Sequence, residues 1–189
     1  PYCAALLGDL GADVIRIERV EGGEDRYVPP VADTGDGGLY LQMNRNKRCI
    51  ALDLKHETGR ELLKELVRDA DVIVQNFRPG AVERLGIAES DLRAVRPELV
   101  YVSISGFGQF GTLSHRVGYD PVAQHFSGFT SINGDPDGDP VKAAIFLGDD
   151  LSGMHAALGA LAALRHRDRT GEGQHVDVAL VDALLFQSN

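Results

Sequence analysis

The stretch RCIALDLKHETGRELLKELVRDADVIVQNF, residues 48–77, decides the fold. It opens and closes with short, largely apolar runs, RCIALDL and DVIVQNF, which predict strands. Between them Leu62, Leu63 and Leu66 recur at helical spacing, and Thr58 with Glu61 has the spacing of a capping box. Residues 56–70 are therefore predicted to form an amphipathic helix. A strand, a helix and a second strand joined by short loops is the unit from which parallel sheets are built.

The same alternation continues on both sides of this unit. Strands are predicted at residues 14–18, 99–105 and 175–180, helices at 1–10, 120–126 and 150–167, and short helices at 79–85 and 90–95. Strands that alternate with helices favour a Rossmann-like parallel sheet flanked by helices, which is the α/β class. Both ends of the chain fall inside helical patterns, so we expect a domain truncated at both ends.

The composition excludes several classes of function. Hydrophobic residues make up 43% of the 189 residues, and 28 acidic residues against 19 basic ones give a formal net charge of -9. This balance argues against nucleic-acid binding, which requires a basic face, and no run is apolar enough to span a membrane. Cys3 and Cys49 are too few for a disulfide framework and have no metal-ligand spacing. We predict a cytoplasmic protein without a metal.

One glycine-rich motif has the pattern of a dinucleotide fingerprint. GFGQFG, residues 106–111, follows a predicted strand and matches G-x-G-x-x-G. The fingerprint also needs a helix that starts there to hold the pyrophosphate, and an acidic residue about twenty positions further on. The next residues, TLSHRVGYDP, have no helical period. The motif is better interpreted as a loop than as an NAD site.

Cations follow three of the predicted strands. Arg19 comes after the first strand, Lys55 after the second, and Asn76, Phe77 and Arg78 after the third. Ligands of open α/β sheets bind at the carboxyl ends of strands. Arginine binds phosphates through paired hydrogen bonds, and a phenylalanine ring can stack on a base. The pattern fits a nucleotide-like ligand, and it fits scattered solvated charge equally well.

Asp149 and Asp150 stand side by side before the longest helical pattern. An acidic residue at a helix start accepts backbone N–H groups and complements the helix dipole, and the pattern alone favours this role as a cap. The alternative is a nucleophilic carboxylate that attacks a carbonyl carbon. The small residues Ser152 and Gly153 would then leave room for a substrate to approach.

Seven motifs in order resemble the class III CoA-transferases, the family of formyl-CoA transferase, carnitine CoA-transferase and α-methylacyl-CoA racemase. The motifs are LGADVIRIER, NRNKRCIALDLK, DVIVQNFRPGAVERLG, VYVSISGFGQFG, GYDPVAQHFSG, GDDLSGMHAALGALAAL and RTGEGQHVDVAL. They extend over essentially the whole chain, so the combined signal is far more specific than any one of them. The resemblance implies one CoA-binding α/β domain over residues 1–189. It also implies that residues 120–189 begin the linker towards a smaller second domain.

The resemblance also implies site residues. The family's catalytic aspartate, in the pattern GD-x-x-x-G, falls on Asp149 between Gly148 and Gly153, which leaves Asp150 as the cap. CoA or acyl-CoA is then a substrate, no cofactor is tightly bound, a carboxylic acid is the acceptor, and the complete protein forms an interlocked homodimer. The CoA-contacting positions fall on Arg19, Leu52, Lys55, Asn76, Phe77, Arg84 and Arg116.

Two alternatives stay open beside the transferase. The racemase branch of the family carries a catalytic histidine where this chain has Tyr119, and a tyrosine of ordinary pKa is a poor base near neutral pH. A CoA- or nucleotide-binding module without turnover would use the same strand ends. Only Asp149 separates that module from an enzyme.

Overall fold

The computed structural model describes residues 1–188, which contain five strands and eight α-helices. The strands are β1 (Val14–Glu18), β2 (Lys47–Ala51), β3 (Val72–Gln75), β4 (Val100–Ser105) and β5 (His175–Ala179). The helices are α1 (Tyr2–Asp9), α2 (Gly38–Met43), α3 (Glu57–Asp69), α4 (Ala81–Leu85), α5 (Glu89–Arg93), α6 (Asp120–Phe126), α7 (Leu147–Thr170) and α8 (Leu180–Gln187).

All strand pairs are parallel, and the strands form two sheets. β1 pairs with β2, while β3, β4 and β5 form a second sheet with β4 in the centre. The predicted parallel α/β fold flanked by helices is confirmed. The strand–helix–strand unit that predicted this fold is β2–α3–β3. Its two strands lie in different sheets, so the unit connects the sheets and its strands do not pair with each other.

The central strand β4 is buried along its whole length because both faces of its sheet are covered. Val100, Val102 and Ile104 face a core formed with α1, α7 and α8. Tyr101 faces a second core formed with α3, α4 and α5. Burial on both faces is usual for the strands of parallel sheets, and here the face towards α3–α5 also carries buried polar side chains such as Ser103.

Helix α7 packs closely on its neighbours because its buried face carries small residues. Ala156, Ala160 and Ala163 are almost fully buried. A Cβ atom added at Gly159 would lie 2.6 Å from Val176 Cγ1, and one at Gly153 would lie 3.1 Å from Tyr2 Cβ. The backbone of α7 therefore lies directly on β5 and on α1, and this fixes the position of the helix start.

Charged side chains, rather than apolar packing, hold the loop after β1. Arg16 donates two hydrogen bonds of 2.7 Å to the Asp25 carboxylate. Arg26 donates two to Glu18, at 2.7 and 3.1 Å, and its guanidinium lies over the Tyr40 ring. Most of β2 is exposed. Asn44 bridges Arg16 and Asp25. We call these six side chains the charged network: Arg16, Glu18, Asp25, Arg26, Tyr40 and Asn44.

Two details of the predicted helices are wrong. Helix α7 begins at Leu147 rather than at residue 150, and it ends at Thr170 before Gly171, whose φ of 77° closes the helix. The capping box predicted for Thr58 and Glu61 does not form, since α3 begins at Glu57 and has no side-chain cap. The helical pattern after β5 is confirmed as α8.

Candidate active site

Asp149 is the third residue of α7, so the helix start determines where its carboxylate lies. One side of the residue is open to solvent. Protein atoms crowd the other side and raise the pKa of Asp149 to about 6, chiefly by desolvation and then by the nearby charge of Asp120. A carboxylate with this pKa is ionised at neutral pH and more basic than an ordinary aspartate. Such a group is suited to attack a carbonyl carbon.

The helix start is capped by Asp120, which comes from α6. Asp120 is only 2% exposed, and its Oδ1 accepts a 2.7 Å hydrogen bond from the backbone N–H of Gly148. This N–H belongs to the first turn, whose donors lack partners within the helix. The expectation that Asp150 is the cap is therefore wrong: α7 has no cap from its own side chains.

Gln124, one turn along α6, completes this support. Its Nε2 donates to Asp120 Oδ2 at 2.7 Å and to the Ile145 carbonyl at 3.2 Å. Its Oε1 accepts from the backbone N–H of Ala143 at 2.7 Å. Asp120 and Gln124 thus hold the chain over residues 143–148, directly before Asp149. Sequence reasoning missed both residues, although Tyr119-Asp120-Pro121 has the pattern of a helix start.

The small residues after Asp149 serve packing. Ser152 is fully buried and donates from Oγ to the Asp149 carbonyl at 3.1 Å. Gly153 is buried against Tyr2 and Cys3 of α1. The expectation that these two residues leave room for a substrate is therefore not met, because Ser152 is fully buried and Gly153 lies against α1.

The ends of β1 and β2 bring Arg19 and Leu52 together. The Leu52 N–H donates to the Glu18 carbonyl at 3.0 Å, one residue before Arg19. Arg19 is exposed and forms a 3.4 Å ion pair with Glu24. It lines a cavity of about 340 Å³ beside the loop held by the charged network. Lys55 is exposed after the end of β2, and its backbone N–H donates to Oδ1 of Asp53.

The end of β3 forms a second polar loop. Asn76 donates from Nδ2 to the Ile104 carbonyl at 2.7 Å, and the Phe77 N–H donates to Gln75 Oε1 at 2.7 Å. The Phe77 ring is 41% exposed, so one face can contact a ligand. Arg84 of α4 reaches back over this loop, since a Cβ atom at Gly80 would lie 3.2 Å from its Nη1.

The segment after β4 contains Arg116 and the glycine-rich motif. No helix starts within or directly after GFGQFG, and the next helix is α6, which confirms the loop interpretation over an NAD site. The loop is tied to the sheet by the Gln109 N–H, which donates to Asp177 Oδ2 at 2.8 Å. Arg116 is exposed on this loop.

Within residues 1–188, no helix is long and apolar enough to cross a membrane, and no three histidine, cysteine or acidic side chains form a group that could hold a metal. Polar loops at parallel strand ends, together with one desolvated carboxylate, are the features of a ligand-binding parallel α/β protein. The chain belongs to CoA-transferase family III, whose family model matches residues 1–189.

The comparisons agree on this family. The chain is 43% identical over 199 residues to the succinate–glutarate CoA-transferase of Agrobacterium fabrum, covering 100% of this chain and 50% of that protein. It is 38% identical over 190 residues to the formyl-CoA:oxalate CoA-transferase of Escherichia coli O6:H1, covering 98% and 45%. The crystal structure of a CAIB/BAIF family protein from Brucella suis matches with a TM-score of 0.94 and 38% identity, covering 98% of this chain and 50% of that chain. The chain thus spans about half the length of the relatives it matches.

Proposed function

We propose that the complete protein is an acyl-CoA:carboxylate CoA-transferase in which Asp149 is the nucleophile. The observation that carries the proposal is the Asp149 carboxylate, which the Asp120–Gln124 support holds at the start of α7 and which has a raised pKa. Family membership supports the assignment, because the resemblance places the catalytic aspartate of the family at this position.

The chemistry divides into balanced steps. Asp149 Oδ attacks the thioester carbon of the donor, the C–S bond breaks, and an acyl-aspartyl anhydride and CoA thiolate result. The thiolate attacks Cγ of Asp149, which releases the donor acid as a carboxylate and leaves an aspartyl-CoA thioester. The acceptor carboxylate attacks the same carbon and expels the thiolate, which then attacks the acceptor acyl carbon and frees Asp149. No net proton is consumed, and covalent catalysis splits one difficult exchange into easier steps.

The strand-end residues are proposed to bind CoA. Arg19, Lys55 and Arg84 are exposed cations suited to phosphate, and Arg116 is a fourth. Asn76 and the exposed Phe77 ring lie on the loop that Arg84 approaches. Leu52 belongs to the set because its backbone lies at the end of β2, hydrogen-bonded to Glu18 and so close to Arg19. CoA enters as a substrate, and the proposed route requires no tightly bound cofactor.

The first donor to test is succinyl-CoA, with a dicarboxylic acid as acceptor. Relatives at 38–43% identity are named for succinate, glutarate, mesaconate, L-malate and oxalate, and several names include succinyl-CoA. The racemase alternative is less well supported. Tyr119 is 61% exposed, and no hydrogen bond to its hydroxyl forms within the described part of the chain. A catalytic base needs such a partner for activation.

The proposed setting is the cytoplasm, where both free cysteines would stay reduced. We also propose that the complete protein is an interlocked homodimer. Met154, Leu158 and Leu161 form an exposed apolar stripe on α7, which further protein would cover. A monomer in sedimentation of the complete protein would contradict the dimer.

The test is intact-protein mass spectrometry of the complete protein incubated with acyl-CoA donors. Wild type should gain a CoA-sized adduct that maps to the peptide containing Asp149, and Asp149→Asn should gain none. Asp150→Asn is the matched control, because it removes the neighbouring carboxylate of the same helix turn. Transferase activity should fall at least about a thousandfold in Asp149→Asn and less than about tenfold in the control.

Two results would contradict the proposal. An adduct that persists in Asp149→Asn would place the nucleophile elsewhere. Measurable CoA binding without an adduct from any donor would leave a racemase or a binding module.

A further inference from the structure

A row of hydrogen-bonded polar side chains crosses the β3–β4–β5 sheet on the face that packs against α3–α5. Gln75 lies opposite Ser103, and His175 lies opposite Tyr101, two residues earlier on β4, so all three side chains share that face. Gln75 Nε2 contacts Ser103 Oγ at 2.8 Å, and Ser103 Oγ contacts His175 Nε2 at 2.8 Å. His175 Nδ1 lies 3.3 Å from Glu89 Oε2 on α5.

The inner end of this row fixes the orientation of the Gln75 amide and sets the direction of the hydrogen bonds that follow. The backbone N–H of Phe77 can only donate, so the atom of Gln75 that it meets is Oε1 and the atom facing Ser103 is Nε2. Ser103 Oγ accepts from Gln75, and its own proton goes to His175 Nε2. This places a proton of His175 on Nδ1, which faces the Glu89 carboxylate at 3.3 Å.

Because the inner part of the row is buried, breaking its hydrogen bonds costs free energy. Ser103 is 1% exposed and Gln75 is 7% exposed, so a donor that loses its acceptor there finds no water to replace it. The outer end is held by further contacts. Arg93 donates to Glu89 at 2.9 Å, and the His175 ring meets the edge of Tyr101 with centroids 5.3 Å apart.

The row ends at the loop that carries Asn76 and Phe77. This loop follows β3 directly and precedes α4, so no strand pairing or helix holds it. Two side-chain contacts do so instead: Gln75 accepts the Phe77 N–H, and Asn76 donates to Ile104. The orientation of Gln75, and with it that of the loop, depends on Ser103 and His175.

We propose that His175 is a positioning residue for the ligand loop: the relay Glu89–His175–Ser103–Gln75 orients the Phe77 backbone and so the CoA-binding loop. The CoA contact in this proposal rests on the proposed function. The relay itself rests on the hydrogen bonds and burial described above. His175 acts through other residues, on the far strand of the sheet from Phe77.

The test is His175→Phe in the complete protein, since phenylalanine keeps a ring against Tyr101 and removes both ring nitrogens. His166→Phe is the matched control, because His166 lies on α7 outside the relay and contacts Glu172. Three quantities are measured: hydrogen exchange of the Phe77 N–H, the dissociation constant for CoA, and kcat. In His175→Phe the exchange should speed up about tenfold and the dissociation constant should rise about fivefold. The value of kcat should change less than about twofold. The control variant should change none of the three quantities.

A double-mutant cycle guards against a purely structural effect. Gln75→Met removes the other end of the relay, and its effect on the CoA dissociation constant should not add to that of His175→Phe. Strict additivity, or Phe77 exchange no faster in His175→Phe than in the control, would overturn the relay. If wild type binds no CoA, the proposed function fails and the CoA part of this inference fails with it. The exchange measurement needs no ligand and still decides the relay.

Discussion

The two sheets of this protein are held in different ways. The β3–β4–β5 sheet is packed on both faces, mainly by apolar side chains, and α7, which carries Asp149, lies directly on it. The β1–β2 sheet leaves most of β2 exposed, and the loop beside Arg19 is held by the charged network. Packing, together with the hydrogen bonds of Asp120 and Gln124, positions the proposed nucleophile, and ion pairs position one of the proposed CoA loops.

This difference predicts opposite responses to pH. Hydrogen bonds from Arg26 lower the pKa of Glu18, so Glu18 stabilises the fold above pH 4.5 and that stability is lost as pH falls through its lowered pKa. Desolvation raises the pKa of Asp149 to about 6, so stability is lost as pH rises from about 4 to about 6. Lowering the pH should therefore destabilise the region around Glu18 and stabilise the region around Asp149.

The largest effect should come from breaking the packed region. Leu184 of α8 is fully buried, and a Cβ atom at Gly148 would lie 2.9 Å from its Cδ1. Leu184→Ala should lower the free energy of unfolding by about 3 kcal/mol, because it removes buried apolar contacts and leaves a cavity beside the start of α7. Urea unfolding measures the change.

The neighbouring Leu185 is a matched control. It is 58% exposed, so Leu185→Ala should change stability by less than about 0.5 kcal/mol. Equal losses in the two variants would mean that packing on α8 does not hold the helix start, and the contrast between the sheets would lose its basis.

A smaller loss should come from the charged network. Arg26→Gln leaves Glu18, whose side chain is 9% exposed, without its paired donors. The cost should be about 2 kcal/mol at pH 7, less than for a fully buried pair because Arg26 is 24% exposed. Unfolding measured against pH should show the loss shrinking below pH 4.5, as Glu18 becomes protonated in both proteins.

The control for this prediction is Arg48→Gln. Arg48 and Asp13 form an ion pair with side chains 67% and 71% exposed, so its loss should leave the free energy of unfolding unchanged within the error of the measurement. A cost of Arg26→Gln that persisted unchanged at pH 3 would show that Arg26 acts through its contact with Tyr40 rather than through charge.

Local patterns in the sequence predicted the elements well and their partners poorly. The bounds of β1 and α6 were predicted as observed, because the alternation of apolar residues and the Asp-Pro helix start are local signals. The split into two sheets was not predicted. Periodicity identifies a strand but not its neighbour, and pairing is decided by tertiary packing.

The candidate site shows the same limit. Asp149 was predicted through the family resemblance, whereas its cap was assigned to the wrong residue. Asp120 is 28 positions from Gly148 in the sequence, so no local spacing could connect them. The relay from His175 to Gln75 was also not predicted, since it requires knowing that β5 lies beside β4.

The smallest predicted effect concerns the charge of Asp149, on which the helix dipole and desolvation act in opposite directions. The dipole at the start of α7 favours a charged carboxylate by up to about 1 kcal/mol, while desolvation and the charge of Asp120 oppose it. The raised pKa means that the opposition is stronger. The full shift would correspond to about 3 kcal/mol, and screening on the open side reduces this to about 1 kcal/mol.

Asp149→Asn should therefore be more stable than wild type by about 1 kcal/mol at pH 7 and equal to it near pH 4, because asparagine does not titrate. Thermal unfolding of both proteins from pH 4 to pH 7 measures the difference. Asp150→Asn should gain less, because the pKa of Asp150 is raised less than that of Asp149. A loss of stability in Asp149→Asn at pH 7 would show that the helix dipole outweighs desolvation. Asp149 would then be an ordinary carboxylate at a helix start, rather than a reactive group that lowers the stability of the fold.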